Sequence, residues 1–258
     1  MSAMFLFISL GVIVIFLIFF IANKFEKKRI AFLENLALTR GLKFDKDARI
    51  LTRLKDLEVK KEIIADYDKF APEVKKKLIS FKREEFLDYT NLQIFIRGYS
   101  KEARNLLIIP FKDNFVFLFD YFYTIGEDRN WNTSDKYKEE KNEHTIALIK
   151  LSSKLPDFYL RPENIADKIS AKLGFDDIDI EQYPEFSKKY YLLGKNKDEI
   201  LSFFTPERIA YLENNSGWTI YAKDNYLAFF KGVNRISAND YENYMNEISI
   251  FLGSINVI

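Results

Sequence analysis

Cysteine is absent from the chain, which removes disulfides, thiolate metal sites and cysteine nucleophiles together. A single histidine, His144, confines imidazole chemistry to one position. A charge excess is missing too: lysine plus arginine number 39 and aspartate plus glutamate 38, a formal net charge of +1. No global field therefore recruits nucleic acid or acidic substrates, and no nucleic-acid partner is expected. Glycine (nine) and proline (six) are scarce in 258 residues, and where they occur they read as punctuation between elements. The first 23 residues carry no charge at all.

What fills that uncharged stretch is apolar. Residues 4 to 22, MFLFISLGVIVIFLIFFIA, contain fifteen Leu, Ile, Phe and Val. At roughly −0.3 to −0.6 kcal/mol each these favour membrane insertion by about 4 to 9 kcal/mol, and nineteen residues at about 1.5 Å span about 28 Å. A cleaved signal peptide would need a basic n-region, a shorter apolar run and a small-x-small site before NKFEKKR, none of which is there. The expectation is an uncleaved single-pass anchor over 1–23. Lys24, Lys27, Lys28 and Arg29 against one Glu26 place the C-terminal part in the cytoplasm by the positive-inside bias, at an inner or plasma membrane.

Beyond the anchor, RIAFLENLALTRGLKF has helical spacing and a stop at Gly41. A helical neck is expected over 24–91, rich in Lys and Glu, with a new helix after Pro72 and a solvated lysine face at Lys75 to Lys77. From residue 92 the period becomes strand-like. LQIFIRG, ARNLLIIPF, NFVFLFDYFYTIG and EHTIALIKLSS read as an antiparallel meander. In the third run Phe115, Phe117, Phe119, Tyr121 and Tyr123 face one way and Val116, Leu118 and Asp120 the other, so this strand is central. A polar loop over 126–143 carries Trp131, read as a tether back onto the domain in preference to an anchor for a partner.

The stretch LPDFYLRPENIADKISAKLGFDDIDIEQYPEFSKKYYLLG, residues 155 to 194, reads as a strand, a helix opened by Pro162 and stopped at Gly174, and a further strand. Asp177, Asp179 and Glu181 alternate with Ile178 and Ile180. Three oxygen ligands at spacing two suit Ca²⁺ or Mg²⁺, yet an EF-hand's glycine and distal Glu are missing, so a solvated outer strand face is expected. Thr205 caps a helix with Pro206 at its first position. GWTIYAKDNYLAFFKG is a hairpin turning at Asp224 and Asn225, and Ser237 with Asp240 precedes a C-terminal amphipathic helix. The expected class is α+β: an N-terminal transmembrane helix, then a mixed, largely antiparallel sheet domain with packed helices over 92–258.

The blocks FDYFYT, LPDFYLRPEN, GFDDIDIEQYPEFSKKYYLLG and GWTIYAKDNYLAFF resemble those of a family of uncharacterised bacterial single-pass membrane proteins, from about Arg29 to the C-terminus. The chain departs from it at Ile180 and at Thr145-Ile146. The resemblance implies no activity and no catalytic residue.

Three function classes are open. The first is a membrane-anchored cytoplasmic binding or scaffolding module with a protein partner. The second is a lipid-headgroup-recognising domain that uses the neck lysines and aromatic strands. The third is a membrane-tethered hydrolase, for which the triad-like inventory is His144, Asp120 and Ser152 or Ser153, without a G-x-S-x-G motif. An enzyme is the less favoured reading. No catalytic, cofactor-binding or metal residue and no cofactor is assigned. Asp120, an acid in mid-strand on an apolar face, is expected to be a buried structural carboxylate paired with Arg97, Arg104 or His144.

Overall fold

The computed structural model describes residues 2–48, 51, 90–96, 98–126, 139–163, 175–232 and 234–255, with the backbone alone for 2–12 and 15. The chain opens on one continuous helix, α1 (Ser2–Arg40), of 39 residues. It ends where the sequence asks it to: Gly41 has φ +65°, the Leu42 N–H donates to the Ala37 carbonyl and the Gly41 N–H to that of Leu38. That pairing is the Schellman stop, which needs a residue free to adopt positive φ. The span expected at 4–22 falls for the most part on residues whose side chains lie outside those described. Among the described residues no helix is long and apolar enough to cross a membrane.

The rest is α+β. Among the described residues nine strands form one sheet in the order β1-β2-β3-β4-β9-β8-β5-β7-β6, and each of their pairings is antiparallel. The long strands are β2 (Tyr99–Phe111), β3 (Asn114–Gly126) and β4 (Glu139–Lys150), flanked by β1 (Lys43–Asp45) and, beyond β4, by the hairpin of β9 (Tyr226–Lys231) and β8 (Trp218–Lys223). The hairpin turns at Asp224, φ +52°, as its Asp-Asn pair requires. β5 (Phe158–Pro162), β7 (Tyr190–Gly194) and β6 (Asp176–Asp177) complete the sheet.

β3 is central, paired on both sides, and its alternation sorts the sheet into two cores. Val116 and Leu118 face one, together with α1, the helix α5 (Pro206–Asn214) and the C-terminal helix α6 (Tyr241–Ser254). Phe115, Phe117, Phe119, Tyr121 and Tyr123 face the other, against the short helix α2 (Gln93–Ile96). Two more short helices, α3 (Pro184–Lys189) and α4 (Lys197–Phe203), sit between the C-terminal strands.

Several expectations are corrected. LQIFIRG is not a strand: Gln93–Ile96 is helical, because Leu92, Ile94 and Phe95 all bury on the second core, which strand alternation could not achieve. FSKKYYLLG divides into α3 and β7, and Pro162 ends β5 opposite Tyr190 instead of opening a helix. The first part of the expected neck belongs to the domain. Leu33, Leu36 and Ala37 of α1 lie in the first core, and β1 pairs with β2. Burial of such side chains stabilises by about 1.5–3 kcal/mol each for leucine, which fixes the helix to the sheet. The Lys75–Lys77 run, Trp131 and the helix expected at 165–173 lie outside the described residues.

Candidate functional site: a buried clamp between the N-terminal helix and the sheet

Asp120 sits in mid-β3, fully buried at 0 % exposure, and pleating turns it toward α1. A carboxylate there must find several donors, and they come from four elements and from the loop that precedes α6. Arg29 of α1 grips it with two parallel bonds, Nε to Oδ2 at 2.8 Å and Nη2 to Oδ1 at 2.7 Å. Thr145 Oγ1 on β4 donates to Oδ1 at 2.9 Å, and Asn105 Nδ2 on β2 donates to Oδ2 at 3.0 Å. Tyr241 OH at the start of α6 stands 3.4 Å from Oδ1, and Arg235 Nη1 stands 3.5 Å from Oδ2.

The second layer closes the ring. Asn105 Nδ2 also donates to Glu26 Oε1 at 2.9 Å, and Arg235 bonds Glu26 Oε2 at 3.0 Å. Arg235 Nε lies 2.9 Å from Glu143 Oε2, an ion-pair contact outside hydrogen-bond geometry. Thr145 Oγ1 accepts from the Ile236 N–H at 3.0 Å, and Arg29 Nη1 donates to the Ile236 carbonyl. Local backbone aims these groups. Asn105 adopts φ +56° at a register shift of β2 against β3, a bulge that redirects one side chain.

Burial alone would lower the pKa of Arg29, but the hydrogen bond and charge of Asp120 outweigh it and the pKa rises. Burial, and next the charge of Asp120, push the Tyr241 phenol well above its ordinary range. Oδ1 and Oδ2 are both crowded with donors. Donors from several segments converge on both carboxylate oxygens, and the arrangement holds α1 against the sheet.

The residues expected to matter fare as follows. Asp120 is buried and paired as expected, but with Arg29. Arg104 instead forks Glu102 at 2.6 Å on the exposed side, Arg97 lies outside the described residues, and His144 is on the opposite face. Register explains the last point: Asp120 stands opposite Thr145 and Tyr121 opposite His144. The triad-like inventory is therefore not assembled, since His144 and Asp120 are separated by the sheet and Ser152 and Ser153 are exposed past the end of β4. His144 stacks on Phe230 at 4.3 Å, with Nε2 3.4 Å from Tyr123 OH and Nδ1 unpartnered. Burial lowers its pKa to about 4.

Asp177, Asp179 and Glu181 are exposed while Ile178 and Ile180 are buried. Burial and then the charge of Asp179 raise the Asp177 pKa. Among the described residues no group of three or more His, Asp or Glu side chains is arranged to hold a metal ion. Sequence reasoning missed Arg29 as a clamp residue, assigning it to the basic cluster, and missed Asn105, Thr145, Arg235 and Tyr241 altogether. The retrievable signal was Asp120 itself, which demanded a cation.

No protein-family model matches the chain, and neither does any curated protein. Among solved structures, the crystal structure of the mycobacterial trehalose monomycolate transport factor A, TtfA, is similar over 79% of this chain and 97% of its own, at TM-score 0.45 and 10% identity.

Proposed function

We propose that the chain is a membrane-tethered binding module, with no catalytic role, whose sheet domain is carried in the cytoplasm on a single helix, the build of the family its sequence blocks resemble. The observation that carries this reading is the continuity of α1. One helix runs from the apolar stretch at 4–22 into the Arg29–Asp120 clamp and the first core. At about 1.5 Å per residue its 39 residues span roughly 58 Å, more than a bilayer core of about 30 Å needs. Its last eighteen or so residues remain to dock on the sheet. The described side chains from Phe16 to Phe20 are exposed, as lipid-facing residues are in a structure without lipid. A helix clamped by a buried ion pair does not swivel freely, so the module presents a fixed face to its partner.

Carbonate extraction of membranes from cells expressing the full chain tests the reading. The wild type stays in the pellet. Replacing Phe16, Phe19 and Phe20 together by Lys releases it. Wild type in the supernatant overturns the proposal.

A further inference from the structure

Of the four basic residues that follow the apolar stretch, only Arg29 turns inward, at 8 % exposure. Lys24, Lys27 and Lys28 are exposed, and among the described residues none of their ammonium groups forms an ion pair or a hydrogen bond. The clamp fixes which way they face. Arg29 is bound to Asp120, Glu26 to Asn105, and Leu33, Leu36 and Ala37 lie in the first core. At about 100° per residue, all three lysines stand roughly 130° or more from the direction those five share. They form one unpaired cationic face on the side of α1 away from the sheet, directly after the apolar stretch.

The strands give a second reason for that face to meet a membrane. β1 runs in the direction of β3, since each is antiparallel to β2, and α1 reverses at Gly41 to enter β1. The N-terminal end of α1 and the C-terminal end of β3 therefore point the same way. From Arg29 back to Ala22 is about 10 Å of helix, whereas from Asp120 on to Gly126 is about 20 Å of strand. Exposed Glu139, Glu140 and Lys141 of β4 lie at that end, opposite Gly126, Ile125 and Thr124. With helix and strands both upright on the membrane, these charges would sit roughly 10 Å inside the hydrocarbon, which is costly. Tilting the rigid unit lowers the sheet side, and the same rotation turns the lysine side of α1 up to the headgroups.

We propose that Lys24, Lys27 and Lys28 dock on anionic phospholipid headgroups of the membrane that α1 enters, tilting α1 so that the sheet hangs away from the leaflet. The proposal rests on the membrane-tethered reading and adds to it the lipid class and the orientation. Each lysine close to an anionic surface favours docking about fivefold, so three together favour it on the order of 100-fold. Salt weakens the attraction, because exposed charges are screened.

The test uses the full chain in nanodiscs of phosphatidylcholine alone and of phosphatidylcholine with phosphatidylglycerol, each carrying a headgroup nitroxide lipid that quenches nearby fluorophores. Since the chain has no native cysteine, a single fluorophore is attached through Ala31→Cys, exposed on the lysine side, or through Lys141→Cys, at the sheet end. Phosphatidylglycerol should raise quenching at residue 31 and lower it at residue 141. The triple variant Lys24→Gln, Lys27→Gln, Lys28→Gln should lose both responses, as should the wild type in high salt. Quenching that ignores the lipid in wild type, a response that persists in the triple variant, or a rise at residue 141 overturns the proposal. Carbonate extraction separates the two claims. Wild type that stays in the pellet without a lipid response sinks the docking alone, whereas wild type released by carbonate sinks the tether and the docking with it.

Discussion

Replacing Asp120 by alanine tests the clamp at its centre. Arg29 is then left 8 % exposed with its fork empty, and Thr145 Oγ1 and Asn105 Nδ2 each lose a buried acceptor. Breaking one partner of a buried ion pair costs about 3–5 kcal/mol because the other charge stays desolvated. For a chain of this size, with each kcal/mol shifting the melting temperature by about 2–4 °C, the variant should melt roughly 6–20 °C lower. The double variant Arg29→Met with Asp120→Leu removes both charges, so it should cost less than Asp120→Ala alone. Thermal unfolding of the full chain in detergent, read by intrinsic fluorescence, measures all three. An Asp120→Ala protein that melts with the wild type, or a double variant that melts below Asp120→Ala, would refute the reasoning.

Three further outcomes follow from other residues. His144 has its pKa lowered by burial from 6.5 to about 4, so between those values the unfolded chain takes up a proton that the native one does not. Stability should therefore fall as pH drops through that window, by up to about 3 kcal/mol, and His144→Phe, which can stack on Phe230, should flatten the dependence in pH-resolved melting curves. Leu36→Ala on α1 should cost about 2–5 kcal/mol by leaving a cavity in the first core, measured by denaturant unfolding, where a free-standing neck would show no effect. Gly98→Ala should destabilise on two counts, φ +73° and a new Cβ 2.5 Å from the Thr124 carbonyl oxygen; an unchanged melting temperature would contradict both.

The β architecture was legible because its signal is local. β3 advertised two apolar faces through a period of two, the Asp-Asn turn marked the β8–β9 hairpin, and Gly41 marked the end of α1. Helices of four to six residues were not legible, since α2 and α3 are too short for a period to declare itself and tertiary burial decides them. The clamp was half legible. A buried Asp120 requires a cation, but Arg29 lies 91 residues away, within a basic run whose neighbours Lys24, Lys27 and Lys28 are exposed. Nothing in that run marks the one member that turns inward.

The absence of native cysteine makes accessibility labelling the sharpest test of the tethered reading. Single cysteines at Ser2 and at Lys197, exposed at the start of α4, are probed in intact cells with a membrane-impermeant thiol reagent. The account predicts labelling of Ser2→Cys in intact cells, and of Lys197→Cys only after permeabilisation. Labelling of Lys197→Cys in intact cells without labelling of Ser2→Cys would contradict it.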